Sequence, residues 1–510
     1  MTESIEKLKF RRQFIFSSKH LQVEDSWKSD TFIFQSSEWH LSYHPDLEIT
    51  TGSKGDVYLI LLGYALDPYS PQLTNKEIVN DLLSKGSFKE LLAYSGKYTG
   101  RYVIIYKDNS SLFILNDAVG FREIYYTFNN GTFACGSTPN IVSKYMGLQK
   151  TRDPYKLSYF NSKLFKDHAN TWIGYGTLFD DISHLAPNHY LDILKKKIIR
   201  FWPLTRLEKI DPETCAKECS KILEGTIAAA TGRYKIHLGL TAGWDTRLLL
   251  AACRNYMDKI FFYVNKLPGY KNNHKDIRIP EKLSEKLDFK LNIINIEDKI
   301  DPDFEKCFYE NNVLAYETHL PVFYNVYRNN WEDTYTMSGT MGNAMARIYI
   351  DFPDSLPMTG ENLSIAAGLN KSKYVVNELN RWSLEVSELC RDKGIRIMDL
   401  YQWEQENPNW AALTSSEQDI AREEIRPINN RRLIELFWSL DDKYRYQYYP
   451  EIYIKIMHNL WKDVLPFPFN PSKKDTLYKV LRFAGIERKF YNVYKFSRFC
   501  FRKKFSKSSF

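Results

Sequence analysis

The stretch Tyr234–Arg254, YKIHLGLTAGWDTRLLLAACR, constrains this chain more than any other. Ile236 to Leu240 is an apolar run with the length and character of a buried strand. Small and hydroxylated residues follow at Thr241, Ala242 and Gly243. Trp244-Asp245-Thr246 then leads into Arg247–Cys253, whose Leu and Ala content reads as helix. A parallel strand, a tight small-residue turn and a helix N-terminus together form an anion site. The turn lets backbone N–H groups approach a ligand, and the helix end adds partial positive charge. Hydroxyls at Thr241 and Thr246 would add donors for phosphate oxygens. An ordinary strand–helix junction fits the same residues. Neither a Walker loop, which needs GKT or GKS, nor a GxGxxG dinucleotide loop is present here.

The rest of the chain is large enough to surround such a site. Its 510 residues suffice for two or three domains, and 44% hydrophobic with 15% aromatic residues excludes a disordered protein. No apolar run reaches the length of a membrane span, and MTESIEKLKFRRQF lacks the apolar core of a signal peptide. Seven scattered cysteines include one close pair, Cys215 and Cys219, without the further ligands of a zinc site. A reduced, cytoplasmic protein is therefore expected. The formal charge of +8 is concentrated at the end: Lys479 to Lys507 holds ten basic residues and one acid, Glu487. A chain that coats nucleic acid is not indicated.

The first half reads as β-rich. Strands are expected at Val57–Leu62, Arg101–Tyr106, Ser111–Leu115, Glu123–Phe128 and Thr132–Cys135, with hairpin turns at 107–110 and 129–131. Helices are expected at Asn75–Ser84 and Ser87–Tyr94, and a last hairpin at Tyr190–Leu194 and Ile198–Trp202. Residues 1–50 mix charged and aromatic residues, with short apolar stretches such as Thr31–Phe34. From about Asp211 helices and strands alternate: helix Pro212–Ala230, then strands Ile236–Leu240, Ile260–Val264, Leu291–Ile296 and Thr334–Met337. Helices at Thr246–Arg254 and Ile277–Leu287 lie between them. The expected class is an α+β antiparallel sandwich followed by an α/β doubly wound, mostly parallel sheet. Ligands in the latter bind at the carboxyl ends of the strands, where residues 241–246 fall.

Those six residues resemble the pyrophosphate-binding loop of ATP pyrophosphatases, S-G-G-x-D-S; Gly243 and Asp245 match outright and three other positions are conservative replacements. Further landmarks in order resemble the asparagine synthetase superfamily, in its asparagine synthase-related branch. Asp117-Ala118-Val119-Gly120 with Ile124-Tyr125-Tyr126 is similar to that family's D-x-x-G-x-x-x-[IL]-Y-Y segment. Gly174–Phe179 with Leu185-Ala186-Pro187 is similar to its junction between halves. Ser338–Asn343 falls where the family carries an acidic glycine motif; Arg426–Asn430 and Pro468–Pro471 resemble later landmarks. The similarity covers nearly all of residues 55–471.

The resemblance implies a glutamine-amidotransferase-like (Ntn-hydrolase-like) domain over 1–205, an ATP-pyrophosphatase domain over 206–471 and a basic aromatic tail over 472–510. It implies chemistry as well: a substrate carboxylate attacks the α-phosphate of ATP, Mg-pyrophosphate leaves, and an amine displaces AMP to give an amide. Leu240, Thr241, Ala242, Gly243, Trp244, Thr246, Arg247, Asp276, Gly339, Thr340, Gly342 and Asn343 would then hold ATP and pyrophosphate. Asp245 would lie at the Mg²⁺, or cap the helix, and Lys455 would stabilise the adenylation transition state, with a solvated helix lysine as its plain alternative. Arg247 would reach a phosphate or be a helix-surface charge.

Two departures qualify this reading. A glutaminase of the family begins with cysteine, whereas this chain has Thr2 and no cysteine before Cys135, so glutamine hydrolysis is not expected. Thr340, Asn343 and Ala344 stand where relatives carry acids that bind Mg-pyrophosphate. The expected function is an ATP-dependent, AMP-forming amide ligase acting on a small or carbohydrate-linked carboxylate and an amine or ammonia. A degenerate nucleotide-binding or scaffold protein of the same fold is the alternative. Glu317 is a further candidate for orienting the amine, while His237 and His319 read as packed histidines. The tail would either dock its aromatics on the second half or lie on an anionic membrane or acidic partner. No nucleic-acid partner is expected, and a homodimer is a further expectation.

Overall fold

Continuous apolar strands such as VYLILLGYAL (57–66) bury both faces, which calls for a layer on each side of the sheet. The computed structural model describes residues 3–203, 205–331, 333–340, 352, 356–369, 372–446, 449–471, 481 and 485–506. Its first half holds twelve strands: β1 Phe14–Ser17, β2 Lys28–Phe34, β3 Ser37–Tyr43, β4 Ile49–Lys54, β5 Val57–Leu66, β6 Thr99–Lys107, β7 Leu112–Asn116, β8 Tyr125–Asn129, β9 Thr132–Gly136, β10 Ser183–His184, β11 His189–Asp192 and β12 Lys197–Arg200. They form two six-stranded antiparallel sheets, ordered β10-β8-β9-β1-β3-β2 and β12-β11-β7-β6-β5-β4.

The two-residue side-chain period of a strand assigns each face. Ile60, Leu62, Val103 and Ile105 point between the sheets and pack with Phe14, Phe16, Leu41 and Phe133. Leu59, Leu61 and Ile104 point the other way, onto Ile78, Val79 and Leu82 of the helix Asn75–Leu83 and Leu91 of the helix Phe88–Ser95. The result is a sandwich with helices outside it. The strands from β5 to β9 agree with the sequence reading within a few residues, whereas β1 to β4 fall in a stretch of mixed charged and aromatic residues with no clear strand pattern.

The second half is built on one parallel sheet of β13 Ile236–Gly239, β14 Ile260–Lys266, β15 Leu291–Asn295, β16 Tyr335–Met337 and β17 Glu423–Ile425, in the order β15-β14-β13-β16-β17. Chain order runs outward from β13 on one side, then restarts on its other side with β16. The space between β13 and β16 is therefore a topological switch point, where crossovers leave in opposite directions and open a crevice. β17 was missed in the sequence because Glu423 and Glu424 make a poor apolar strand.

Buried charge joins the halves. Arg101 of β6 forms two 2.5 Å ion pairs, with Asp419 and with Glu423, and Arg122 reaches Glu423 at 2.7 Å. All four side chains are buried. Farther along, Arg200 and Asn188 from the first half and Trp382 from the second all bond the buried carboxylate of Glu404.

Candidate functional site

The strand β13 ends at Gly239, and the helix Trp244–Ala252 starts five residues later. The turn between them lies at the carboxyl end of β13, and residues 338–340 leave the carboxyl end of β16 beside it. Both loops therefore flank the switch point.

The turn is held by its own hydroxyls. Thr241 Oγ1 and Thr246 Oγ1 are 3.0 Å apart, Gly243 N–H donates to Thr241 Oγ1 at 3.1 Å, and Thr241 N–H donates to Thr246 Oγ1 at 3.3 Å. Ala242 N–H donates to Asp276 Oδ1 at 2.9 Å. Asp276 lies in the first turn of the helix Lys275–Leu287, whose N-cap His274 accepts from its N–H. A carboxylate thus occupies one backbone donor of the turn. Gly243, in extended conformation (φ −76°, ψ 166°), is the N-cap of the helix Trp244–Ala252 and, being glycine, supplies no side-chain cap itself. The N–H groups in the first turn of a helix carry partial positive charge, which makes this end electropositive.

Residues from far along the chain fix this helix end. Asn470 N–H donates to Ala242 O at 2.9 Å. Phe469 stacks on Trp244, 3.8 Å between ring centres and 3° between planes. Tyr453, fully buried on the helix Glu451–Trp461, donates its hydroxyl to Asp245 Oδ1 at 3.2 Å. Gly339 packs directly on the backbone of Asp245: a Cβ there would lie 2.9 Å from the Asp245 carbonyl carbon. Ser338 and Thr340 are linked by a 2.9 Å hydroxyl contact, with Thr340 exposed beside the helix end.

The expected site residues that are described thus divide into three groups. Thr241, Ala242, Gly243, Asp245, Thr246, Asp276, Gly339 and Thr340 surround one helix N-terminus. Leu240 and Trp244 are buried supports: Leu240 N–H pairs with Tyr263 O in β14, and Trp244 carries the Phe469 stack. Arg247 and Lys455 are turned elsewhere. The Arg247 guanidinium is buried, donates to the carbonyls of Val464, Phe467 and Pro468, and sits 4.6 Å over the Phe469 ring. It is neither a phosphate ligand nor a surface charge in this structure, because the helix phase points it inward. Burial pushes its pKa down to about 10. Lys455 pairs with Glu213 at 2.5 Å and Glu451 at 3.6 Å, and its partners raise its pKa. Gly342, Asn343 and Ala344 lie outside the described residues, as does Thr2. Glu317 is exposed, His319 pairs with Glu417 at 2.6 Å, and His237 is buried among Phe261, Tyr263 and Trp331. Tyr453, Phe469 and Asn470 are the components to which sequence reasoning gave no role at the site; the last two fall in Pro468–Pro471, which resembles a family landmark without indicating a contact to the loop.

The donor set suits a hard cation held jointly with phosphate. Asp245 and Asp276 offer carboxylate oxygens at the loop, and Mg²⁺ is commonly bound through one or two carboxylates plus substrate phosphates. Among the described residues no group of three or more His, Cys, Asp or Glu could hold a metal by protein ligands alone.

No family model and no curated protein matches the sequence. Among solved structures, the chain is similar to the glutamine phosphoribosylpyrophosphate amidotransferase of B. subtilis complexed with ADP and GMP, at 10% identity, over 62% of this chain and 92% of that one, with a TM-score of 0.25. It is similar to an NH3-dependent NAD synthetase from Campylobacter jejuni in complex with nitrate, at 12% identity over 37% and 88%, TM-score 0.20. A glutamine-dependent NAD+ synthetase from Acinetobacter baumannii with ADP gives 9% identity over 57% and 66%, TM-score 0.19. Likenesses this low carry no argument about the activity of this chain.

Proposed function

We propose that the chain is an ATP-dependent, AMP-forming amide ligase of asparagine synthetase type. It would adenylate a small or carbohydrate-linked carboxylate and pass it to an amine or ammonia. The observation that carries this reading is the N-terminus of the helix Trp244–Ala252, with glycine at its N-cap, set at the switch point behind a hydroxylated turn. A pyrophosphate leaving group is highly anionic, and fixed N–H donors in a preformed end stabilise its developing charge without reorganising at the moment of reaction. Thr241 and Thr246 would bind phosphate oxygens through their hydroxyls, Thr340 would face them from the neighbouring loop, and Asp245 would be steered to the metal by Tyr453. Mg²⁺, when bound, neutralises the pyrophosphate oxygens.

The same reading makes the first half an Ntn-hydrolase-like sandwich that does not hydrolyse glutamine. Its first strand starts at Phe14, whose N–H is held by Ser137 Oγ at 3.1 Å, so no free α-amine is available at that strand end. The residues before it cross to the other half: Arg12 donates to Asp419 O at 2.7 Å and Phe10 N–H to Asn311 Oδ1 at 2.7 Å. Cys135 is fully buried and its thiol pKa is pushed well up by burial. The amine would therefore come from solution or from a second substrate.

One observation favours the alternative of a nucleotide-binding or scaffold protein without turnover: Asp276 already satisfies the Ala242 N–H, so a phosphate must displace a like-charged group. Incubation with ATP, Mg²⁺ and panels of carboxylates and amines separates the two. Stoichiometric AMP and amide, with ammonium but not glutamine as nitrogen source, supports the ligase. Calorimetric ATP binding with no AMP from any pair supports the alternative and overturns the ligase.

A further inference from the structure

The helix Glu487–Ser506 is 20 residues long, so it extends about 30 Å. One side of it rests on the second half. Phe499 is buried near Phe352, and Arg502 donates to the carbonyls of Ile365 and Ala366, at 3.4 and 2.5 Å, at the end of the helix Gly360–Ala367. The other side reverses the usual placement of apolar residues. Ile486, Phe490, Val493 and Phe496 recur at three- and four-residue spacing and are 47%, 41%, 65% and 52% exposed. Residues 490, 493 and 496 share that outward side with exposed Cys500, and the exposed Lys489 and Lys504 flank it. A soluble surface scatters such side chains singly; a contiguous run of them marks a contact surface.

We propose that this outward face lies on an anionic lipid surface, with the phenyl rings and Val493 entering the interface and the flanking lysines at the headgroups. Charge selects the occupant. The segment from Lys479 to Lys507 carries ten basic residues against one acid, so a second copy apposed on the same face would bring two cationic segments together. An anionic bilayer is complementary to it, and apolar insertion with juxtaposed lysines is the balance by which interfacial helices bind. Attachment is peripheral, since no helix among the described residues is long and apolar enough to cross a membrane. The helix is carried by the domain that holds the candidate site, so binding would bring that site to substrates at the surface.

The test uses the full chain. Of the seven cysteines only Cys500 is exposed, so it accepts an environment-sensitive fluorophore selectively. With vesicles of phosphatidylcholine plus phosphatidylserine the emission should shift blue and the protein should sediment with the lipid. Pure phosphatidylcholine should give neither. The exposed triple variant Phe490→Ser, Val493→Ser, Phe496→Ser should fold as the parent does and lose at least about tenfold in vesicle affinity. The pair Lys489→Glu and Lys504→Glu should lose on the order of tenfold or more, with a flatter salt dependence. Absence of binding to phosphatidylserine vesicles, or binding unchanged in the triple variant, overturns the proposal. So does light scattering that shows a dimer abolished by the triple variant, without lipid binding, because the face would then belong to a second copy.

Discussion

Replacing Gly339 by alanine should separate the two loops that flank the switch point. A Cβ on Gly339 would stand 2.9 Å from the Asp245 carbonyl carbon, 2.9 Å from its Cβ and 3.0 Å from its carbonyl oxygen, where ordinary contacts begin at 3.4 Å. Two of those atoms are backbone, so no flexible side chain can yield. The end of β16 and the start of the helix Trp244–Ala252 must then part by the difference, about 0.5 Å. Overpacking of this kind costs about 1–3 kcal/mol. A displacement of about 0.5 Å is also the tolerance of a preorganised site, so affinity for pyrophosphate or ATP should fall by roughly tenfold or more. Gly243→Ala should cost less, about 1 kcal/mol or below, since φ there is −76°, the nearest neighbour is a side-chain atom, the Thr241 hydroxyl at 3.1 Å, and the main loss is that of a glycine N-cap. Denaturant midpoints and calorimetric titration with pyrophosphate read both effects. If Gly339→Ala keeps parental stability and affinity, the two loops do not meet as described and the site is misassembled.

Phe469→Ala removes the Trp244 stack and the Arg247 cation–π contact, each worth about 0.5–1.5 kcal/mol; a midpoint loss of about 1–3 kcal/mol is expected by chemical denaturation. Arg122→Ala removes one of the two arginines that pair with buried Glu423, leaving Arg101, and should cost up to about 3–5 kcal/mol, whereas Arg122→Met with Glu423→Met should cost much less; equal losses in a double-mutant cycle would refute the pairing. Burial lowers the His184 and His189 pKa values to about 4. Both are therefore neutral when folded and protonated when unfolded between about pH 6.5 and 4, where the unfolded chain binds more protons. Stability should fall with falling pH across that window by up to about 1.4 kcal/mol per pH unit for each. His184→Phe, which can keep the stack on Tyr125, should flatten the slope by one histidine's share, as pH-dependent denaturation measures.

Much of the site's frame is legible in the residues, and the reasons are local. Ile236–Leu240 has the character of a buried strand, which the structure places at Ile236–Gly239, and Gly243 can open a helix, so the turn between them follows from neighbours a few positions apart. The alternation of helices and strands after Asp211 likewise predicts the parallel sheet. β2, KSDTFIF, is hard to read as a strand because it is exposed along most of its length and shows no apolar alternation. The acidic β17 was hidden for the opposite reason: its glutamates are buried, but Arg101 and Arg122, some three hundred residues away, neutralise Glu423. Arg247 shows the limit of motif reasoning. Its place one residue past the turn suggested a phosphate contact, yet its direction is set by helix phase and by carbonyls at 464–468. Tyr453 and Asn470 reach the loop from more than two hundred residues downstream, a relation that no local pattern encodes.

The central claim is that the turn at 241–246 and its helix end hold the pyrophosphate of ATP. Pyrophosphate release with ATP, Mg²⁺ and carboxylate panels, measured for the parent, Thr246→Ala and Asp245→Ala, tests it most directly. The account predicts release by the parent and a loss of about a hundredfold or more in each variant, because each removes a group aimed at the leaving anion or its metal. Release that survives both substitutions would contradict it.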